Sequence, residues 1–190
     1  MPALQKSHGG PVTQADLENL YRNHFSEIYR YVFRFADGAD GAMDLVQDVF
    51  YRALEHAARQ ESKIHNPRAW LYSIARNHCI STGQRQVLER RLLSEGQHLN
   101  GATYSAFEPR LLDILELEQI WEFLAKEFSD KESEIFQLYV RDGLNQEEIA
   151  AVVALSQSAV SRILIAVTSR LREHFRTDKK VGKILALLVI

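Results

Sequence analysis

The sequence predicts an all-α protein: two small helical domains joined by a flexible linker, with a helix-turn-helix in the second. Three observations lead there. Only 9 Gly and 4 Pro interrupt 190 residues, which leaves room for long helices rather than many short strands joined by turns. Apolar residues recur at the three- and four-residue steps of a helix face through most of the chain. Residues 92–110 break that period with Gly, Ser, Asn and Thr, the composition of a linker. The expected divisions are a loose tail over 1–16, a first domain over 17–91, the linker over 92–111, a second domain over 112–176 and an apolar extension over 177–190.

The first helix opens at Thr13 and Asp16, a capping-box-like start with Asp in place of Glu. Leu17, Leu20, Tyr21, Phe25, Ile28, Val32 and Phe35 form its apolar stripe, and Asp37-Gly38 stops it. A second helix places Leu45, Val49, Phe50, Ala53, Leu54 and Ala57 on one face. Asn66-Pro67 starts a third, with Asn as the cap and Pro at the first helical position. Its apolar face is Trp70, Leu71, Ile74 and Ala75, which assigns Trp70 to the core. Past the linker the pattern returns with Leu117, Ile120, Trp121, Leu124 and Phe128. Ser129 with Glu132, and Asn145 with Glu148, are capping boxes, and Ser156 caps the last long helix. Gly143 ends the helix between the two boxes.

Composition closes off several function classes. A single cysteine, Cys79, excludes an internal disulfide and a multi-cysteine zinc module. The scattered histidines lack zinc-ligand spacing, so no metal or other cofactor is expected, and Cys79 reads as a small core residue. There is no phosphate-binding glycine loop and no nucleophile elbow, so neither an enzyme nor a small-molecule substrate is expected. The first residues, MPALQKSHGG, have no apolar core of a secretory signal, and the apolar run 184–190 is far short of the roughly 20 residues of a membrane span. A cytoplasmic protein is expected. The net charge of −2 hides a segregated distribution: residues 61–91 carry +4 and 151–190 carry +5, whereas 108–150 carry −8. Two separate basic blocks suit contact with a polyanion at two places.

Residues 145–171 carry the most specific pattern. Ile149, Ala150 and Val153 lie on one short helix, Leu155 in the turn, and Val160, Ile163 and Leu164 on the next. Two helices crossing near a right angle need a small residue at their contact, and Ala150 supplies it. The turn usually takes Gly; here Ala154 costs about 1 kcal/mol if the site is left-handed. Such a unit sets its second helix in the DNA major groove. At about 100° per residue, Val160, Ile163, Leu164, Val167 and Leu171 face inward, and Ser158, Ser161, Arg162, Ile165, Ser169 and Arg172 face outward. Arg reads guanine edges or holds phosphate, Ser does either more weakly, and Ile touches a thymine methyl.

On these residues the chain resembles a known family. Asp44-Leu45-Val46-Gln47-Asp48-Val49-Phe50-Tyr51-Arg52-Ala53 is similar to the second-region signature of bacterial sigma factors. Pro67 to Ile80 is similar to the promoter-melting segment that follows it. With the C-terminal helix-turn-helix, the whole resembles the small two-domain extracytoplasmic-function (ECF) sigma factors over roughly residues 17–175. The resemblance implies a factor that binds core RNA polymerase and directs it to promoter DNA. Its first domain would hold the polymerase clamp and melt the minus-ten element; its second would read the minus-thirty-five element. It also implies a regulatory anti-sigma factor, linked to the membrane. Two other readings remain at this point: a stand-alone helix-turn-helix regulator of a symmetric operator, and a sigma-like protein that only sequesters its partners.

The resemblance assigns polymerase binding to Asp44, Gln47, Asp48 and Arg52, whose spacing puts them on one helix face. That stripe of carboxylate, amide and guanidinium suits a basic helical clamp. It assigns the minus-ten element to Lys63, Ile64, His65 and Asn66 in a base-capturing loop, and to Arg68, Arg76, Asn77 and Arg85, with Arg90 and Arg91 near the backbone. It assigns the minus-thirty-five element to Ser158, Ser161, Arg162, Ile165, Ser169 and Arg172. The chain departs from the family pattern in three places. Gly41-Ala42-Met43-Asp44 lacks two of the usual acids, and Ser81-Thr82-Gly83-Gln84-Arg85 replaces an Asp followed by a basic pair. The recognition helix runs Ile163-Leu164-Ile165-Ala166-Val167-Thr168 where basic residues are usual. Fewer phosphate contacts are therefore expected. The salt dependence of promoter binding by the second domain should be shallower than that of a basic-rich relative, and an equally steep slope would contradict it.

Overall fold

The computed structural model describes residues 14–59, 64–81, 111–178 and 181. It contains seven helices among them: α1 (Gln14–Phe33), α2 (Gly38–Arg59), α3 (Pro67–Ser81), α4 (Leu111–Glu127), α5 (Asp130–Val140), α6 (Gln146–Val153) and α7 (Gln157–His174). No strand occurs among the described residues. The chain divides into two compact units, Met1–Val87 and Leu88–Ile190. Residues 1–13 of the expected tail, linker residues 92–110 and most of the apolar extension lie outside the described residues. Two expected boundaries shift: residues 14–16 already belong to α1, and Leu111 already belongs to α4. Extending a helix fixes one residue for each hydrogen bond gained, against three for the first, so a formed helix can run past the edge of its apolar stripe.

In the first unit α1, α2 and α3 pack against one another. Ile28, Tyr31 and Val32 from α1, Ala42, Val46 and Val49 from α2, and Ala69, Leu71, Tyr72 and Ala75 from α3 are buried together with Cys79. The first helix stops at Phe33, ahead of Asp37-Gly38. Residues 34–37 form a turn, and Gly38 at φ 82° begins α2. Phe35 therefore belongs to the turn rather than the helix. Tyr21 and Leu54 were expected inside and lie exposed. The Tyr21 ring still packs beside Phe25 and Phe50, at ring-centre distances of 5.0 and 4.9 Å. Trp70 and Ile74 lie at the margin of the α3 core face, half-buried. Tyr72 and His78, which the apolar pattern passed over, take the buried places.

In the second unit α5 is the hub, packing on α4, α6 and α7. Ile120 and Leu124 of α4 meet Ile135, Phe136 and Leu138 of α5 in the core, with Leu144, Ile149, Val160, Leu164, Val167 and Leu171 from the rest of the unit. The capping signals appear as expected. Ser129 and Glu132 close a box at α5, and Asn145 and Glu148 close one at α6. Gly143 turns the chain at φ 62°, where Leu144 N donates to Leu138 O at 3.0 Å. Val181, the only described residue beyond Asp178, is fully buried, and its N–H donates to Asp178 Oδ1 at 3.2 Å.

Candidate functional site

The second unit presents a helix-turn-helix. Helices α6 and α7 meet at 107°. The turn is short because Ala154 adopts φ 54°, ψ 52°, the left-handed conformation that favours glycine. Ser156 Oγ then accepts from Ala159 N at 3.2 Å and starts α7. Val160, Leu164, Val167 and Leu171 are buried as expected, Thr168 joins them, and Ile163 is half-buried. Ser158, Arg162, Ile165, Ser169 and Arg172 are exposed and Ser161 is half-exposed, so the expected outward face is continuous. Ile165 keeps 52% of its surface in water. Arg170, by contrast, turns back onto α4. Its guanidinium donates to Glu127 O at 3.2 Å and Glu127 Oε2 at 3.3 Å, and it lies 4.4 Å over the Phe128 ring. It caps the negative end of α4 and is not part of the outward face. The left-handed alanine leads to a direct expectation: Ala154→Gly should raise stability by about 1 kcal/mol. In a domain this small that is a rise in thermal midpoint of about 4–8 °C, measurable by circular dichroism.

The first unit presents a second surface, on α2. Asp44, Gln47, Asp48 and Arg52 are all exposed along one face. Asp48 also approaches α3: its Oδ2 lies 3.2 Å from His78 Nε2, without the alignment of a hydrogen bond. Sequence reasoning did not bring His78 to this surface, because Asp48 and His78 sit on different helices and no spacing links them. Burial holds the His78 imidazole below its ordinary pKa, and the Arg52 guanidinium pushes the same way, against the opposing pull of Asp48. Folding therefore favours neutral His78, whereas the unfolded chain takes up its proton near pH 6.5. This contribution to stability is complete above that pH and is lost as pH falls below it. Glu27 acts lower down. Burial raises its pKa, but hydrogen bonds from His24 and Arg68 outweigh that and leave it lowered. Its contribution is present above the ordinary carboxylate value and is lost as pH falls through the depressed one. Thermal midpoints of the full chain should drop between pH 7 and pH 5.5, and His78→Gln should flatten that window while leaving the acid-side loss intact.

Around the start of α3 the assigned minus-ten residues separate into groups. Ile64 is half-buried, and His65 and Asn66 are exposed. Asn66 Oδ1 accepts from Ala69 N at 3.0 Å and so caps α3. Arg68 is half-buried, with Nε 2.9 Å from Glu27 Oε2, and ties α3 to α1. Arg76 is half-buried and Asn77 is exposed. Lys63 and Arg85, with Arg90 and Arg91, lie outside the described residues. Cys79 is fully buried, and burial pushes its thiol up to about 12, which makes it inert near neutral pH.

The two surfaces coincide with two family models. Sigma-70 region 2 matches residues 20–87, and Sigma-70 region 4 matches residues 126–173. The chain is also 30% identical over 171 residues to RNA polymerase sigma factor YlaC of Bacillus subtilis, covering 88% of this chain and 96% of that one. The chain belongs to the extracytoplasmic-function sigma factors of RNA polymerase. ECF RNA polymerase sigma factor SigM of the same organism is 22% identical over 157 residues, covering 82% of this chain and 93% of that one. Among solved structures, the sigma factor RpoE in complex with the anti-sigma factor NepR, from Bartonella quintana, shares the fold at a TM-score of 0.56. It is 22% identical, over 86% of this chain and 99% of that one. As a sigma factor, the chain directs RNA polymerase to promoters. Sigma factors are transcription initiation factors rather than catalysts in themselves. No single described helix of this one is long and apolar enough to cross a membrane.

Proposed function

We propose that this sigma factor divides promoter work between its units. The α2 stripe of Asp44, Gln47, Asp48 and Arg52 engages the polymerase clamp. The segment entering α3, with Lys63, Ile64, His65, Asn66, Arg76 and Asn77, handles the opened minus-ten element, and Arg85 extends that contact. Arg68 contributes by fixing α3 on α1 through Glu27, so its effect on melting is indirect. The outward face of α7 reads the minus-thirty-five element. The observation that carries this reading is the outward face itself: polar side chains and one exposed isoleucine on the second helix of a 107° helix-turn-helix, with the apolar side chains turned inward.

The protein acts in the cytoplasm, where polymerase and promoter DNA are, and supplies no catalytic chemistry of its own. An anti-sigma factor that covers these faces would hold it inactive, as the Bartonella relative solved with NepR suggests by its fold. Run-off transcription tests the reading, with purified core polymerase, this protein and a fragment library of its source genome. Defined starts sharing two spaced upstream elements are expected. Polymerase binding without any starts would instead leave a factor that only sequesters its partners.

A further inference from the structure

We propose that Glu27 is a positioning residue for opening of the minus-ten element: from α1 it holds the first turn of α3, and so the segment that enters it, through Arg68. This rests on the reading that this segment handles the opened strand. It gives a part in promoter opening to α1, which carries none of the residues assigned to polymerase or DNA. The contact divides the carboxylate. Glu27 Oε2 accepts from Arg68 Nε at 2.9 Å, and Oε1 pairs with His24 Nδ1, about one turn earlier on α1. The side chains are largely covered: Glu27 is 15% exposed, His24 21% and Arg68 24%. Both oxygens are committed, so the carboxylate is held at two points.

Arg68 needs such a partner where it stands. The positive end of a helix dipole disfavours a cation, and the first turn of α3 contains no acid of its own. Glu27 supplies that negative charge from a different helix. The same guanidinium lies 5.7 Å from the centre of the Tyr72 ring, and Tyr72 packs edge-on against Tyr31 of α1 at 5.2 Å. The anchor lies next to the cap: Asn66 Oδ1 accepts from Ala69 N at 3.0 Å, so Ile64, His65 and Asn66 run directly into the turn that Glu27 holds. A loop that must be ordered as it captures a base loses free energy in doing so. A charge-assisted bond made beforehand removes that cost. With its Nε committed to Glu27, Arg68 acts on the strand through the position of α3.

The test uses the full chain, purified core polymerase and a promoter fragment carrying one of the run-off starts. Without any start the reading falls, and the positioning role with it. Opening is followed by the permanganate reactivity of unpaired thymines, polymerase affinity by titration and helix content by circular dichroism. Glu27→Ala should slow opening by about tenfold, the scale of one charge-assisted hydrogen bond, with polymerase affinity unchanged. Arg68→Glu sets two acids against each other and should be at least as slow. Glu27→Arg combined with Arg68→Glu restores an opposed pair and puts an acid in the first turn of α3. It should open within about threefold of the wild type. Wild-type opening in Glu27→Ala, or a loss of polymerase affinity as large as the loss of opening, would overturn the proposal. So would a swapped pair no faster than Arg68→Glu, which would put Arg68 on the strand itself. Should Glu27→Ala fold poorly, Glu27→Gln decides. It keeps the shape and an acceptor for Arg68 but loses the charge, and should still slow opening by about threefold; wild-type opening there overturns the proposal. His65→Asp, an exposed change that sets a carboxylate against the strand, separates the two readings. If it and Glu27→Ala both open normally, the segment does not handle the minus-ten element. If only Glu27→Ala opens normally, the segment stands and the positioning role fails.

Discussion

Replacing Asp44 with lysine is expected to weaken binding to core RNA polymerase by roughly a hundredfold while leaving the helix content unchanged. Asp44 is exposed and stands one turn before Asp48 on the α2 face, so its side chain contributes nothing to the core of the first unit. The stripe combines carboxylates, an amide and a guanidinium, which suits charge-assisted bonds to a basic helical clamp. A lysine there sets like charges against each other across an interface, which costs several kcal/mol, and about 1.4 kcal/mol corresponds to each tenfold loss of affinity. The effect should be larger here because two acids usual at the start of this signature are absent, with Gly41 and Met43 in their places. Fewer acids remain to compensate. Asp44 is a cleaner target than Asp48, which also approaches His78. The measurement is a titration against core polymerase, with circular dichroism on the same sample. A loss below threefold would remove the electrostatic role of the stripe.

Arg162→Ala should weaken binding to the minus-thirty-five duplex by roughly tenfold to a hundredfold, the worth of one bidentate arginine contact of about 1–3 kcal/mol. The form of the loss identifies the contact. If Arg162 reads a guanine edge, discrimination collapses at one base position. If it holds a phosphate, affinity falls uniformly across sequences and the salt slope drops by about one. Arg162 is exposed, and its Nε reaches only back to Ser158 O at 3.4 Å, so the guanidinium stands on the outward face. Ile165, 52% exposed on the same face, gives a second arm to the experiment. Replacing thymines of the element one at a time by deoxyuridine deletes only the methyl group. One such replacement should weaken wild-type binding and have no effect on Ile165→Ala. No sensitivity at any thymine would mean that Ile165 does not read the element.

Much of this was legible in the sequence because helices announce themselves locally. Ser129 with Glu132, Asn145 with Glu148, and Asn66 ahead of Pro67 are short-range signals, and the hydrogen bonds they imply are present. The outward face of α7 was legible for the same reason: a period of 3.6 assigns inside and outside once a few apolar positions are known. The turn at Ala154 was legible only as a condition: such a turn usually takes glycine, and the structure holds the alanine there at φ 54°.

The sequence by itself determined that the protein is helical, where most helices begin, and which side of the recognition helix meets water. Tertiary structure alone decided which polar residues meet across helices within each unit. His78 with Asp48, Arg68 with Glu27, and Arg170 with Glu127 each join helices that are far apart in the chain. It also decided that Tyr21 and Leu54 stay exposed while Tyr72 is buried. The physical reason is range. Capping and periodicity act within a turn or two of helix, so neighbouring residues encode them. Burial at the edge of a stripe, and the partner of a charged side chain, depend on what another helix places opposite, and no spacing along one helix contains that information.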